Sequence, residues 1–292
     1  MNTNRFAGSA LPILALTLNA FTWGVSWWPF RELQARGLHP LWATVLIYSM
    51  AVIAITMWRR GAWGELLRTR SLWLLVLASG TTNAAFNWGV TVGDVVRVVL
   101  LFYLMPLWAV LLARWLLHEP LSAAAGLRVL MALMGAGIVL WPEGGGLPLP
   151  RTMPEWLGIL GGFTFALNNV LLRREAHQPE AARALAMFAG GAAVSGVIAL
   201  VLGAQGLVPA VPAPAAGWIV GGLLMGAAFL VGNMALQYGA SRLPANVTAV
   251  VMISEVLFAS VSAVLLGAGT VTPGLLVGGA LIVGATLLAG HS

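Results

Sequence analysis

Long apolar runs, broken by short groups of Pro, Gly and Arg, recur along the whole of this 292-residue chain. Each run is close to the ~20 residues that a helix needs to cross the hydrocarbon core of a bilayer. Because backbone groups in hydrocarbon have no water to bond, such runs are expected to form helices. The pattern predicts ten spans, at about residues 9–30, 40–58, 71–92, 95–117, 124–141, 155–174, 183–204, 215–239, 245–267 and 272–290.

Two polar and aromatic stretches inside these runs are almost alike, although 150 residues separate them. They read NAAFNWGV at 83–90 and NMALQYGA at 233–240. A second pair of similar stretches precedes them, AFTWGVSW at 20–27 and GFTFALNN at 162–169. The order of the matches is the same in both halves, which indicates an internal repeat.

A third match, GLRVLMAL at 126–133 with GLLVGGAL at 274–281, extends the repeat to the end of each half. We therefore predict two five-helix units, residues 1–147 and residues 148–292. Because five is odd, the second unit must enter the membrane from the opposite side. Inverted repeats are typical of transporters that bind substrate near the midplane, where the halves meet. The expected fold is an all-α membrane protein of two inverted five-helix repeats.

Composition narrows the class further, with 60% hydrophobic and 8% charged residues. A soluble domain carries roughly 25% charged residues, so a soluble surface could not be made from this chain. There is no cysteine, and the four histidines lie far apart at predicted segment edges, so we expect no metal and no other cofactor. The chain has no P-loop, nucleophile elbow or acid dyad, which argues against an enzyme and against an ATP-driven pump.

The net charge of +6 comes entirely from arginine, and the arginines lie in short loops between apolar runs. That position follows the positive-inside rule and gives no reason to expect a nucleic-acid partner. With the N-terminus in the cytoplasm, 11 of the 15 arginines lie inside, and Arg31, Arg36, Arg97 and Arg151 lie outside. We predict a multi-pass protein of a bacterial-type inner membrane with both termini cytoplasmic.

Several stretches resemble the drug/metabolite transporter superfamily of the EamA type, over essentially the whole chain. They are AFTWGVSW in the first span, PLWAVLLARWLLHEPLS at 106–122 and the GLxVxxAL ending of each half. The family commonly carries a Glu-Pro pair in its fourth and ninth helices. Here the first copy has Met105 and Pro106, and the second has Glu255 and Val256, so each copy keeps one member of the pair. The aromatic and polar positions look most like the aromatic amino acid exporters of the YddG type.

Glu255 places a carboxyl group in the middle of an apolar span. An ionised acid at the bilayer centre costs at least ~2.5–3.5 kcal/mol on insertion scales, so the side chain should face the bundle interior. There it could bind a substrate ammonium, carry a proton, or fix helix packing through a hydrogen bond.

Amides and deep aromatics are the other candidates for substrate contact. Two amide pairs are spaced i, i+4 and so share a helix face. Structural hydrogen bonds between helices remain the alternative for any single amide. The candidate amides are Asn83, Asn87, Asn169, Asn233 and Gln237. The candidate aromatics are Trp23, Trp88, Tyr103, Phe163, Phe165 and Tyr238.

Three further residues are candidates for movement. Pro106 lacks an N–H and can open or kink its helix, so the segment around it is a possible hinge. Asp94 and Arg97 flank a short connection and form either a segment-end pair or a gate. We expect the cavity to be bounded by spans 1, 3, 4, 6, 8 and 9, which carry nearly all the polar residues within the membrane.

The sequence thus predicts a secondary transporter that exports small organic solutes by alternating access. The substrates that the sequence favours are neutral or aromatic amino acids. The alternatives are an exporter of cationic drugs or other metabolites, and a passive channel. The expected partners are the small-molecule substrate and the lipid bilayer. The oligomeric state is left open, and a monomer is compatible with the architecture.

Overall fold

The computed structural model describes residues 4–116, 118, 123–141, 147, 149–240, 242, 251–252 and 254–289. These residues contain thirteen helices and no strand. The first-half helices are α1 (Asn4–Val25), α2 (Trp27–Ala35), α3 (Pro40–Trp58), α4 (Gly61–Arg68), α5 (Arg70–Val92), α6 (Val95–Phe102), α7 (Met105–Leu116) and α8 (Ala123–Val139). The second-half helices are α9 (Met153–Arg174), α10 (Glu180–Ala204), α11 (Ala216–Ala240), α12 (Ser254–Leu265) and α13 (Pro273–Ala289).

Five stretches of the described chain are long and apolar enough to cross a membrane, by length and composition. They are Pro40–Trp58, Val95–Leu116, Met153–Leu172, Glu180–Ala204 and Ala216–Leu236. Shorter apolar helices lie at Val129–Val139, Ser254–Leu265 and Pro273–Ala285. The protein is therefore an all-helical, multi-pass membrane protein, and the count of ten spans stays a prediction.

Two predicted spans contain two helices each. The first breaks at Ser26, whose hydroxyl donates to the carbonyl of Trp23 at 2.7 Å. The fourth breaks at Tyr103 and Leu104, immediately before Pro106 in sequence. Proline removes a backbone donor and clashes with the preceding turn, which explains a break at this point.

One helix, α4, was not predicted, because its eight residues lie in a connection that reads as polar. Ala62 and Leu66 are buried on one side of it. The indole of Trp63 donates to the hydroxyl of Thr56 at 2.8 Å, which ties α4 to the end of α3. The segment thus folds as a short amphipathic helix instead of an extended loop.

The helix pairs follow a pattern that the two halves share. Helix α1 contacts α11, and the equivalent pair after exchange of the halves is α9 with α5. Helix α1 also contacts α12, and the equivalent contacts are those of α9 with α6 and α7. Helix α3 contacts α11, and the equivalent pair is α10 with α5. Two further pairs join equivalent helices of the two halves, α3 with α10 and α8 with α13. Exchanging the first five predicted spans for the second five converts the first of these pairs into one another, and it converts the pair α3 and α10 and the pair α8 and α13 into themselves. A duplicated five-helix unit would produce this arrangement.

His39 holds the start of α3. Its Nδ1 accepts a hydrogen bond from the backbone N–H of Leu41 at 3.3 Å, and its ring packs edge-on against Trp88 with centroids 5.2 Å apart. Burial lowers the pKa of the His39 imidazole from its usual value of 6.5. The neutral ring is therefore the form that caps the helix.

We expect the melting temperature of the purified protein to fall as the pH is lowered from about 7.5 to about 5.5. The reason is that the unfolded chain binds a proton at His39 near pH 6.5, whereas the folded chain binds it only at lower pH. The stability that neutral His39 contributes is thus present above pH 6.5 and is lost as the pH falls toward the folded pKa. His39→Asn keeps a capping acceptor that does not titrate, so it should reduce this fall. An equal fall in the variant would show that His39 is not its source.

Candidate functional site

A cavity of about 420 Å³ lies inside the helical bundle. Its size is within the range of small-molecule sites, about 300–1,000 Å³. Of the described residues, the following line it: Asn19, Trp23, Tyr48, Ser79, Thr82, Asn83, Phe86, Phe102, Tyr103, Met105, Phe165, Asn168, Asn169, Met187, Phe188, Phe229, Asn233, Leu236, Met252 and Glu255.

Seven of the residues proposed from sequence for substrate contact meet in this cavity. They are Trp23, Asn83, Tyr103, Phe165, Asn169, Asn233 and Glu255. All six spans that were expected to bound the cavity contribute to its wall. Tyr48 of α3 and Met187 and Phe188 of α10 add two spans to that expectation. Neither α8 nor α13 supplies a described lining residue.

Asn87 and Trp88 do not line the cavity, although they belong to the repeated stretch. Asn87 is fully buried and its amide donates to the hydroxyl of Thr44 at 3.0 Å, so it joins α5 to α3. Trp88 packs on His39 instead. The i, i+4 spacing places Asn87 about 40° further around the helix than Asn83, which is enough to move it from the cavity wall to a helix contact.

Phe163 and Tyr238 also lie away from the described lining. Phe163 packs edge-on against Trp108, with ring centroids 5.4 Å apart. The guanidinium of Arg242 lies over the Tyr238 ring, 3.9 Å from its centroid. The side chains of Gln237 and Pro106 lie outside the described part of the structure, so the positions proposed for them stay predictions.

Asp94 and Arg97 lie at the start of α6, away from the cavity lining. Asp94 caps the helix by accepting from the backbone N–H of Arg97 at 2.9 Å, and it also accepts from the N–H of Thr270 at 3.3 Å. The guanidinium of Arg97 pairs with Glu155 of α9 at 2.6 Å. The side chain of Arg97 thus pairs with Glu155, while Asp94 contacts Arg97 through its backbone N–H.

The cavity wall carries the internal repeat at matching positions. In the third and fourth predicted spans and their counterparts in the second half, five pairs of lining residues are separated by 150 residues, the offset of the repeated polar stretches. The pairs are Ser79 and Phe229, Asn83 and Asn233, Phe86 and Leu236, Phe102 and Met252, and Met105 and Glu255. Both halves therefore contribute equivalent helix faces to one cavity.

Asn83 is the centre of a hydrogen-bond network on one side of the cavity. Its carbonyl oxygen accepts from the hydroxyl of Tyr48. Its amide donates to the backbone carbonyl of Ser79 at 2.8 Å, and the Ser79 hydroxyl donates to the carbonyl of Met187 at 3.2 Å. Next to it, Thr82 donates to the hydroxyl of Thr164 on α9 at 2.9 Å. These bonds tie α3, α5, α9 and α10 together behind the wall.

A second group of polar residues in the cavity wall includes Glu255. The hydroxyl of Tyr103 donates to its carboxylate at 3.2 Å and lies 3.5 Å from the carbonyl oxygen of Met252. The amide nitrogen of Asn19 contacts the Met252 sulfur at 3.6 Å. Asn19 and Tyr103 therefore both contact Met252, and Tyr103 also bonds Glu255.

Aromatic rings form the apolar part of the wall. Trp23 meets Phe229 edge-on with centroids 4.5 Å apart, and it meets Phe86 at 6.2 Å. Phe102 contacts Phe86 at 4.7 Å and Phe165 at 5.3 Å. Edge and tilted contacts of this kind stabilise aromatic clusters and leave ring faces for a further aromatic group.

Sequence reasoning missed several lining residues, among them the polar residues Asn19 and Tyr48. Asn19 carried a usable signal, since it is an amide within the first apolar span and precedes Trp23 by four residues. Tyr48 lies in α3, a helix whose other residues gave no reason to expect a polar face. Its orientation toward Asn83 follows only from how α3 packs on its neighbours.

Comparison with known proteins agrees with the membrane fold. Residues 10–141 match the EamA-like transporter family. No curated protein matches the chain. The crystal structure of another protein is similar over 95% of this chain and 96% of its own, with a TM-score of 0.58 and 19% sequence identity, which shows a similar fold.

Proposed function

We propose that the protein is a secondary membrane transporter that exports small organic solutes through the central cavity. The observation that carries this proposal is that aligned positions of both halves line one cavity. Inverted halves around a central site can expose that site to one side of the membrane and then to the other. The family match to residues 10–141 supports the same class of function.

The proposed architecture is the inverted pair of five-helix repeats, residues 1–147 and 148–292. The exchange pattern of the helix pairs supports it. The excess of arginine on one side supports cytoplasmic termini and an inner-membrane location. The helix break before Pro106 supports a hinge within the fourth span, next to the lining residue Tyr103.

The substrate that fits best is a neutral amino acid with a large apolar or aromatic side chain. The lining combines an aromatic wall with amides and hydroxyls, which offer both donors and acceptors to a zwitterion. An aromatic side chain could pack against Trp23, Phe86 and Phe102 in offset contacts worth ~0.5–1.5 kcal/mol. The cavity volume accommodates one such molecule.

An exporter of cationic drugs is the second candidate, favoured by the buried carboxyl group of Glu255. This candidate ranks second because Glu255 is the one carboxylate among the described lining residues, and a more acidic lining would bind a large lipophilic cation better. The substrate contacts proposed here are the lining residues identified from sequence, together with Asn19 and Tyr48.

Counterflow in liposomes tests the carrier proposal. Purified protein is reconstituted, the liposomes are loaded with unlabelled phenylalanine, and labelled phenylalanine is added outside. We expect saturable uptake with a transient overshoot, because a carrier exchanges one bound molecule for another. Protein-free liposomes provide the control. Uptake that neither saturates nor responds to internal substrate would indicate a channel, and uptake of cationic drugs alone would contradict the amino acid assignment.

A further inference from the structure

Hydrogen-bond acceptors meet on one side of the cavity, around Met252. Asn19 comes from α1, Tyr103 from the break between α6 and α7, and Glu255 from α12. The Tyr103 hydroxyl bonds the carboxylate of Glu255, and the Asn19 amide contacts the side chain of Met252. Three segments that are far apart in sequence thus form one polar group within the wall.

Asn19 is only 1% exposed, and its carbonyl oxygen has no hydrogen-bond partner within the described structure. A buried acceptor without a donor is costly, because its hydration is lost and nothing replaces it. The residue lines the cavity, and a rotation of its side chain would present this oxygen, which is covered by packing in the structure, to a donor on a ligand there. The carboxylate of Glu255 is a second acceptor of the same group.

The charge of the cavity lining also favours a ligand group that donates hydrogen bonds. Glu255 is the one charged side chain among the described lining residues, and no arginine or histidine is part of that lining. The whole sequence contains no lysine. An anionic group in the cavity would therefore meet no described cation, whereas a cationic group would meet a carboxylate and an amide oxygen.

We infer that Asn19, Tyr103 and Glu255 form a subsite for a primary ammonium group, and that this group is the part of the substrate the protein requires. This inference rests on the proposed function, in which the cavity holds the transported solute. An ammonium has three N–H donors. The subsite offers three acceptors: the Asn19 amide oxygen, the Glu255 carboxylate and the Tyr103 hydroxyl oxygen.

The neighbouring wall places the rest of such a substrate. Trp23 follows Asn19 by four residues and lies on the same face of α1. Its ring contacts those of Phe86 and Phe229, which belong to the same cavity wall. A substrate with its ammonium on Asn19 and Glu255 would direct an aryl or alkyl body toward these rings.

Three compounds with one aromatic body test the inference: phenethylamine, phenylalanine and 3-phenylpropionate. Binding to the purified full-length protein is measured by calorimetry. We expect phenethylamine and phenylalanine to bind within about tenfold of each other, and 3-phenylpropionate to bind at least about tenfold more weakly. Equal or tighter binding of 3-phenylpropionate overturns the subsite, as does the absence of phenethylamine binding.

Variants assign the effect to residues. Asn19→Leu and Glu255→Gln should each weaken phenethylamine binding by about tenfold or more, because the first removes an acceptor and the second removes the negative charge that strengthens the bond to the ammonium. Asn19→Asp keeps an acceptor and should retain binding. If Asn19 instead donated to a carboxylate, Asn19→Asp would abolish phenylalanine binding, which would contradict the inference. Thr17→Val is the matched control on α1, since its hydroxyl bonds the carbonyl of Ile13 within the same helix.

The binding and counterflow results together distinguish a failure of the ammonium subsite from a failure of the transporter proposal. Selective binding of the two amines without counterflow would support the subsite and contradict the transporter. Counterflow that 3-phenylpropionate inhibits as well as phenethylamine would support the transporter and overturn the subsite. Size-exclusion profiles of the variants show which of them are folded, and the comparison of the three compounds on the unmodified protein needs no variant.

Discussion

Replacing Asn83 and Asn233 together by leucine is expected to abolish transport by the protein that still folds, although the change also removes the hydrogen bond from Tyr48 to Asn83. The two amides occupy equivalent positions of the two halves and both line the cavity. Leucine has a similar size but no polar atom, so each change removes hydrogen bonds worth ~1–3 kcal/mol when they reach a charged group. Initial rates of counterflow in liposomes should fall at least about 100-fold for the double variant, and less for each single variant.

The matched control for this experiment is Asn87→Leu in the same helix as Asn83. Asn87 is buried and bonds Thr44, away from the described cavity lining. Its replacement should act on folding stability and leave the KM of counterflow within about twofold. If Asn87→Leu raised the KM as much as Asn83→Leu, both amides would contact the substrate, as their i, i+4 spacing predicts. If the double variant transported normally, the amides would be structural.

Gly190→Ala is expected to destabilise the protein by about 1–3 kcal/mol or more, because α10 and α5 touch at this position. A Cβ on Gly190 would overlap the backbone carbonyl of Val76, and a backbone atom cannot move aside as the end of a side chain can. The carbonyl of Gly190 is in turn close to Gly80 of α5, so the contact involves the backbones of both helices. Small residues at helix contacts are a common source of stability within membranes.

The measurement is the melting temperature of the purified protein in detergent, compared with Gly137→Ala in α8. A Cβ on Gly137 would meet no atom within 4 Å. Alanine also has the better helix propensity, by ~1 kcal/mol, so the control should be neutral or stabilising. A similar melting temperature for Gly190→Ala and the unmodified protein would show that α5 and α10 can separate without cost.

The helical membrane fold could be predicted because hydropathy is a local property. An apolar run of about 20 residues has few alternatives in a bilayer, whatever its neighbours do. The helix α4 was missed because it depends on a contact with the end of α3, the bond from Trp63 to Thr56. The break before Pro106 was predictable, since proline acts on its own helix.

The candidate site was predictable in its polar residues and less so in their orientation. The repeated stretch identified Asn83 and Asn233, which line the cavity, and also Asn87 and Trp88, which do not. Residues one turn apart share a face only approximately, and the neighbouring helix decides which of them reaches the cavity.

The sequence by itself determined that this protein lies in a lipid bilayer and that its apolar runs are helical, because both follow from composition and spacing along one chain. Only the tertiary structure decided that Tyr48 bonds Asn83, that Arg97 pairs with Glu155 and that Asn19, Tyr103 and Glu255 meet. These contacts join residues on different helices, and their distances are set by how closely the helices pack.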